Sequence, residues 1–387
     1  MSEIVIQKGR ADWYILLATV ALMLFSVAFV YSASSYISEL RFGSAEGLFS
    51  KHLIRIFFAI ITLLIFANID YHKLKKFSKP ALIVSIVLLG YVLVSGSTYL
   101  GAKRWINVGF ISFQPSELAK FCLVIHFAAM LSVKQKVIHS FEQGFAPFAL
   151  WTGIILVLIA LQPNFSTMTV IAAIAFSMMF IGNVRAKHLA GAAGVVIISF
   201  LSYMVSAEYR RNRLLSYFGL QDENANIENV SYQLNQALVA IGNGGLFGVG
   251  AGQSRQSAQF LPESYGDFIF SIIGEEFGFF GLALIVGAFA LIFYRGMRIA
   301  QKAPDSFGYY LAVGILVTFA FYVFVNAGVN TGLLPTTGVP LPFISYGGTA
   351  VLIYAAAMGI LLNISKQANI NPIKTENPPD LELEDNN

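Results

Sequence analysis

The stretch DFIFSIIGEEFGFFGLALIVGAFALIF, residues 267–293, decides the fold class. From Phe268 to Phe293 its only charged side chains are Glu275 and Glu276, and the run exceeds the roughly 20 apolar residues a helix needs to cross about 30 Å of hydrocarbon. It reads as a transmembrane helix with a carboxylate, Asp267, at its mouth, where the polar loop Leu261-Pro262-Glu263-Ser264-Tyr265-Gly266 ends. A carboxylate at such a junction is poorly solvated on one side, so a functional role is its default reading. Asp267 is the candidate catalytic base.

Similar apolar segments recur at 13–34, 52–69, 80–97, 116–133, 146–162, 167–182, 188–206, 308–328 and 347–364. With the first stretch they predict an all-α polytopic membrane protein of about ten transmembrane helices. The two segments flanking Pro163 also read as one bent hairpin. Composition agrees: 56% of residues are hydrophobic, 12% are charged and the mean hydropathy is +0.68, whereas soluble domains carry about 25% charged residues.

Basic residues set the expected orientation. With both termini in the cytoplasm, Lys8, Arg10, Lys73, Lys75, Lys76, Lys79, Lys134, Lys136, Arg185, Lys187, Arg295, Arg298, Lys302, Lys366 and Lys374 fall inside, and the short outer loops hold only Arg41, Lys51, Lys103 and Arg104. That is the positive-inside pattern, and the opposite orientation would invert it. The net charge of +4 is thus mostly a topology signal, and nucleic acid is not an expected partner. The expected location is a membrane, with the site facing outside. Cys122 is the only cysteine, so no disulfide framework exists. The sequence has no Cys/His cluster, Walker loop or dinucleotide glycine motif. The first apolar segment lacks a small-residue cleavage signature and reads as a retained anchor.

The expected organisation is a cytoplasmic N-terminus (1–12), a membrane domain (13–365) with an extracytoplasmic loop (207–266) between helices 7 and 8, and a disordered cytoplasmic tail (366–387) rich in Asn, Pro and acidic residues. Within the loop, Val230 to Ile241 places Leu234, Leu238 and Ile241 on one side of a short helix. Gly242 to Gly252 then carries six glycines in 11 positions. Such a run suits tight turns and close backbone approach to a ligand, or a plain flexible linker.

Further polar groups cluster on the same expected outer side. Lys103-Arg104-Trp105 precedes Gln114-Pro115-Ser116-Glu117-Leu118-Ala119-Lys120, where Ser116 can cap a helix and Glu117 and Lys120 share a face. Two opposite charges entering hydrocarbon either satisfy each other as a helix-anchoring pair or line a polar substrate cavity. Asp267, Ser271 and Glu275 advance by four and form one expected stripe, with Lys120 a candidate partner and Glu276 turned about 100° away. Between Asn330 and Thr349 prolines and glycines break an otherwise apolar segment that includes Ser345. Non-helical backbone at membrane depth must be satisfied by protein or water, so this is an expected re-entrant or cavity-lining loop.

These stretches together resemble the SEDS family (shape, elongation, division and sporulation; FtsW and RodA). The resemblance rests on Arg104-Trp105, Gln114 to Lys120, Tyr209-Arg210-Arg211-Asn212-Arg213, Leu261-Pro262-Glu263 with Asp267-Phe268-Ile269-Phe270, Glu275-Glu276-Phe277-Gly278, and Leu341-Pro342-Phe343-Ile344-Ser345-Tyr346-Gly347-Gly348. Leu334 to Gly338 and Gly252-Gln253-Ser254 look more like the division branch, FtsW. The chain departs from the family at Asn164, where relatives commonly have aspartate, and at Ser264-Tyr265-Gly266, where they often have a histidine and threonine.

The resemblance implies a peptidoglycan glycosyltransferase that polymerises lipid II beside a class B penicillin-binding protein (a transpeptidase) and other division proteins. Asp267 would be the general base. Arg104, Trp105, Glu117, Lys120, Arg210, Arg213, Glu263, Ser271, Glu275 and Ser345 would bind substrate, the cations facing its pyrophosphate. A divalent cation (Mg or Mn) bridging carboxylate and pyrophosphate is compatible with this, although the sequence holds no dedicated metal motif. A lipid II flippase or transporter, with charges inside a bundle and a broken helix, is the alternative from another class. A non-catalytic division scaffold, which would not need Asp267, is the third. Clustering of the polar groups on the outer side rather than at the midplane favours the enzyme.

The orientation predicts that Asn226→Cys reacts with an impermeant thiol reagent added to intact cells and Lys75→Cys does not; the reverse pattern overturns it.

Overall fold

A computed structural model describes residues 9–99, 102–108, 111–205, 228–261 and 264–368. The helices are α1 (Trp13–Phe42), α2 (Gly47–Asn68), α3 (His72–Ser95), α4 (Pro115–Lys134), α5 (Ala146–Ala160), α6 (Phe165–Ile181), α7 (Ala186–Val205), α8 (Glu228–Gly244), α9 (Ile269–Gln301), α10 (Ser306–Asn330) and α11 (Thr349–Gln367). Among the described residues, eight helical stretches are long and apolar enough to cross a bilayer: α1 to α4, Phe141–Ala160 (a π turn running into α5), α9, α10 and α11. The other two spans expected from the sequence are shorter apolar helices, Phe165–Ile181 and Ala186–Ser202. The chain is a multi-pass helical membrane protein.

One feature of the fold has no counterpart in the sequence reading. Strands β1 (Ser97–Tyr99), β2 (Ala102–Val108) and β3 (Ile111–Phe113) form an antiparallel meander between α3 and α4, with Ser97 opposite Trp105 and Asn107 opposite Ser112. β1 and β3, of three residues each, are too short for alternation to show.

The buried centre is α4, α10 and α11. In α11 small residues run Ala355-Ala356-Ala357 and then Gly359, where a Cβ would collide with the Leu63 carbonyl of α2. Small side chains let membrane helices approach closely where no hydrophobic effect drives them together. Between Leu53 and Ile65 the exposed side chains of α2, among them Ile54, Phe57 and Phe58, are apolar.

Polar clamps close the end of the bundle opposite Asp267. Asp12 caps α1 through Ile15 N–H (3.1 Å) and accepts from Arg295 of α9 (2.5 Å), while its own N–H donates to Ser365 of α11 (3.0 Å). Asp305 caps α10 through the N–H groups of Phe307 (2.8 Å) and Gly308 (3.0 Å) and accepts from the Tyr71 hydroxyl. Partial burial pushes the Asp305 carboxyl up, but these hydrogen bonds and nearby His72 outweigh it and hold the pKa below its ordinary value.

The glycine run packs its backbone against a break in α9. Helix α9 is broken at Gly278 (φ 64°, ψ −161°). In an unbroken helix the Glu275 and Glu276 carbonyls would accept from Phe279 and Phe280. Instead they accept from Val249 N–H (2.9 Å) and Gly250 N–H (3.0 Å), and Phe279 and Phe280 donate to the carbonyls of Gly245 (2.9 Å) and Leu246 (3.2 Å). The loop after α8 is spliced into two helical hydrogen bonds. Close approach requires bare glycine: a Cβ at Gly244 would strike the Gly274 carbonyl, one at Gly248 the Glu276 carbonyl, and one at Gly278 the backbone of Leu246 and Gly248. The expected helix within the outer loop is α8, whose Leu234 and Leu238 reach toward Gly332 and whose Ile241 packs at Gly274.

Gly248 combines φ +83° with this collision, whereas a Cβ on helical Gly242 meets nothing within 4 Å. Gly248→Ala should therefore lower stability by about 2 kcal/mol or more, and Gly242→Ala should raise it slightly. Thermal unfolding of the two purified variants checks this, and equal melting temperatures contradict the splice.

Candidate active site at the mouth of α9

Asp267 lies in a turn, Ser264 to Phe268, just before α9 begins. Three elements hold the turn. From α10, the amides of Asn326 and Asn330 both donate to the Asp267 carbonyl (2.8 and 3.0 Å). Asn330 Oδ1 also accepts from the N–H (3.1 Å) and hydroxyl (2.6 Å) of Ser271, satisfying a donor in the first turn of α9. From the loop between α10 and α11, Ser345 Oγ donates to the Gly266 carbonyl (2.7 Å) and Tyr346 N–H to the Tyr265 carbonyl (2.9 Å). From α1, the Ala33 carbonyl accepts from Ser264 (3.0 Å).

The loop between α10 and α11 breaks the helical pattern, as its prolines and glycines predict. It is non-helical yet buried at Val339, Leu341, Phe343 and Ser345, with its backbone satisfied by Asn326 on Val339 O (2.8 Å) and Ser345 on Leu341 N (2.8 Å). A Cβ at Gly338 would stand 3.3 Å from Asp267 Oδ2, so this glycine leaves the carboxylate its room. Asp267 itself is half-buried, and the nearby start of α9 favours a negative charge.

The expected single stripe of Asp267, Ser271 and Glu275 does not form. Asp267 precedes the helix, so helical spacing does not apply to it. Ser271 turns to Asn330, and Glu275 accepts from the Ser254 hydroxyl and Gln256 N–H (3.3 Å). Glu276 accepts from Ser32 of α1. The two glutamates thus tie α1 and the segment after the glycine loop to the break in α9.

Nor does Lys120 pair with Glu275. Its Nζ lies 2.6 Å from Glu117 Oε2 and 3.7 Å from the centroid of the Tyr322 ring, and Tyr322 donates to Glu117 Oε1 (3.0 Å). All three side chains are buried. Of the two roles left open for this pair, the geometry is that of a helix anchor joining α4 to α10. A small cavity of about 20 Å³, lined by Lys120, Thr318, Tyr354 and apolar side chains, adjoins it.

Arg104 on β2 donates to the carbonyls of Gln162 (3.2 Å) and Pro163, bracing the turn between α5 and α6. Trp105 is half-buried beside it. Asn164 caps α6 through Thr167 N–H (3.4 Å), a task an aspartate would do equally. Arg210, Arg213 and Glu263 lie outside the described residues. Asn326 was not among the residues singled out from the sequence; a carboxamide inside an apolar span, one turn from Asn330, is the signal that marks it.

A family model for a cell cycle protein, FtsW/RodA/SpoVE, matches residues 12–370. The chain belongs to this family. It is similar to the probable peptidoglycan glycosyltransferase FtsW of Geobacter metallireducens, 37% identical over 94% of this chain and 96% of that protein. The stage V sporulation protein E of Bacillus subtilis is 36% identical over 93% of this chain and 98% of its own length. Among solved structures, a chain of a peptidoglycan synthase complex superposes with a TM-score of 0.76 at 24% identity, covering 92% of this chain and 98% of that one. The rod shape determining protein RodA of Thermus thermophilus gives 0.67 at 24%, covering 92% and 97%. These two share the family fold.

Removing one member of a buried ion pair leaves an uncompensated charge, which costs about 3–5 kcal/mol. Lys120→Met should therefore unfold far below the parent temperature, and Glu117→Gln combined with Lys120→Met should recover most of the loss. A Lys120→Met protein as stable as the parent contradicts the anchoring role.

Proposed function

We propose that this chain is a peptidoglycan glycosyltransferase that polymerises lipid II into glycan strands during septal wall synthesis. In this reading it sits in the bacterial cytoplasmic membrane with both termini inside and the Asp267 end outside. The observation that carries the reading is the Asp267 carboxylate, half-buried in a turn whose backbone is fixed from α1, α10 and the loop after α10. Relatives along nearly the whole chain bear the name of this activity.

The acceptor sugar hydroxyl gives its proton to Asp267 as its oxygen attacks the anomeric carbon of the donor. The bond from that carbon to the pyrophosphate breaks, and undecaprenyl pyrophosphate leaves. One base and direct displacement give inversion at the sugar carbon. Fixing the turn beforehand matters because a general base must lie within about 2.6–3.2 Å of the proton's oxygen. Charge growing on the leaving group calls for cations; Arg210 and Arg213 are the proposed ones, and Arg104, Trp105 and Glu263 are proposed as further substrate contacts. Among the described residues no group of three or more His, Cys, Asp or Glu could hold a metal ion. A magnesium or manganese ion bound here would have Asp267 as a protein ligand, with substrate phosphates and water as further ligands, and would neutralise pyrophosphate charge. A class B penicillin-binding protein is the proposed partner that crosslinks the product, alongside other division proteins.

Asp267→Asn is nearly isosteric but cannot take the proton. With lipid II and purified protein, alone and with its partner, it should bind substrate and lose polymerisation by at least the roughly 10²–10⁴-fold contributed by a general base. Glycan synthesis at the parent rate by that variant sinks the mechanism.

A further inference from the structure

Of the 25 lysines and arginines, only Arg55 and Lys120 lie inside the apolar spans read from the sequence. Lys120 has its carboxylate. Arg55 has none: among the described residues no acid forms an ion pair with it, and its Nη1 is buried without an acceptor. An unpaired charge at membrane depth is costly and marks a functional position.

The surroundings of Arg55 point to what pairs with it. Its guanidinium lies over the Tyr346 ring (Cζ 4.5 Å from the centroid), and Tyr346 is bonded through its N–H to Tyr265, two residues before Asp267. Gly348 flanks the guanidinium, since a Cβ there would stand 3.8 Å from Arg55 Nε and Cζ, at ordinary contact distance. Along α2, Lys51 stands one turn before Arg55, exposed, its Nζ over the Phe42 ring (4.5 Å). In the other direction come the exposed apolar side chains Phe57, Phe58 and Ile61. Two cations followed by an apolar face match an amphiphile with a phosphate head and a hydrocarbon tail.

We infer that Arg55 is a substrate-binding residue that holds the phosphate of the polyprenyl-linked substrate beside the Asp267 turn, with the tail along the exposed face of α2. The inference rests on the glycosyltransferase reading. The planar guanidinium offers phosphate oxygens a two-pronged contact that a lysine ammonium cannot reproduce. An anionic phospholipid headgroup carries the same chemistry, so the test must separate the two.

The full chain in phosphatidylcholine nanodiscs is titrated with undecaprenyl pyrophosphate, with undecaprenol as the phosphate-free control and phosphatidylglycerol as competitor. Arg55→Gln should weaken pyrophosphate binding about tenfold or more, the loss expected for a charge-assisted hydrogen bond. Arg55→Lys should weaken it less, undecaprenol binding should not change, and phosphatidylglycerol should not displace the pyrophosphate. In polymerisation assays Arg55→Lys should raise KM for lipid II severalfold with little change in kcat, a split that a packing role would not produce. Parent-like Kd and KM in Arg55→Lys, whether or not Arg55→Gln folds, overturn the assignment, as does equal displacement by phosphatidylglycerol. If the parent binds pyrophosphate through Arg55 yet makes no glycan, the glycosyltransferase reading fails and the site stands; unchanged binding in an active Arg55→Gln enzyme does the opposite.

Discussion

A bilayer offers no water to backbone N–H and C=O groups, so every departure from helix at membrane depth must be bonded by protein. The chain departs at three connected places, and the site is made where they meet. The gap opened by Gly278 is filled by the glycine loop, which returns the four bonding partners a continuous α9 would have used. The turn ahead of α9 is bonded by Asn326, Asn330, Ser345 and Tyr346. The loop between α10 and α11 is bonded by Asn326 and Ser345 again. Two side chains thus serve both loops, coupling the geometry of Asp267 to the packing of α10.

This economy explains why so many polar groups here are occupied by structure. Glu275 and Glu276 anchor the segments on either side of the break, and Glu117, Lys120 and Tyr322 lock α4 to α10. Paired in this way, charges that would be expensive in hydrocarbon become helix-to-helix bonds. Arg55 differs in kind: it keeps a guanidinium nitrogen without an acceptor among the described residues. Its guanidinium lies over the Tyr346 ring, which packs on Tyr265, two residues before Asp267, with ring centroids 5.4 Å apart.

Much of the fold was legible because span length is a property of composition: eight runs of apolar residues became helices long enough to cross. The carboxylate at 267 was legible for the same reason, as a charge where the apolar run begins. The break at Gly278 was not, since an isolated glycine in a membrane helix looks unremarkable and only its φ of 64° reveals the turn. Lys120 was read with two possible partners because spacing along one helix shows Glu117 but not Tyr322, which arrives from α10, 205 positions away in sequence. The stripe through Asp267 failed for a related reason: helical spacing was applied across the N-terminus, where the chain is still a turn. Asn326 and Arg55 were passed over as single polar residues in apolar spans, and in a bilayer such residues carry the most information.

The central claim is that this scaffold fixes Asp267 as the base for an acceptor sugar. It is tested most directly by a structure of the protein with a lipid II analogue trapped in the site. The account predicts the acceptor hydroxyl oxygen within about 2.6–3.2 Å of an Asp267 carboxylate oxygen, with the turn unmoved and still bonded to Asn326, Asn330 and Ser345. A sugar bound at the opposite end of the bundle, or an acceptor hydroxyl activated by a different side chain, would contradict it.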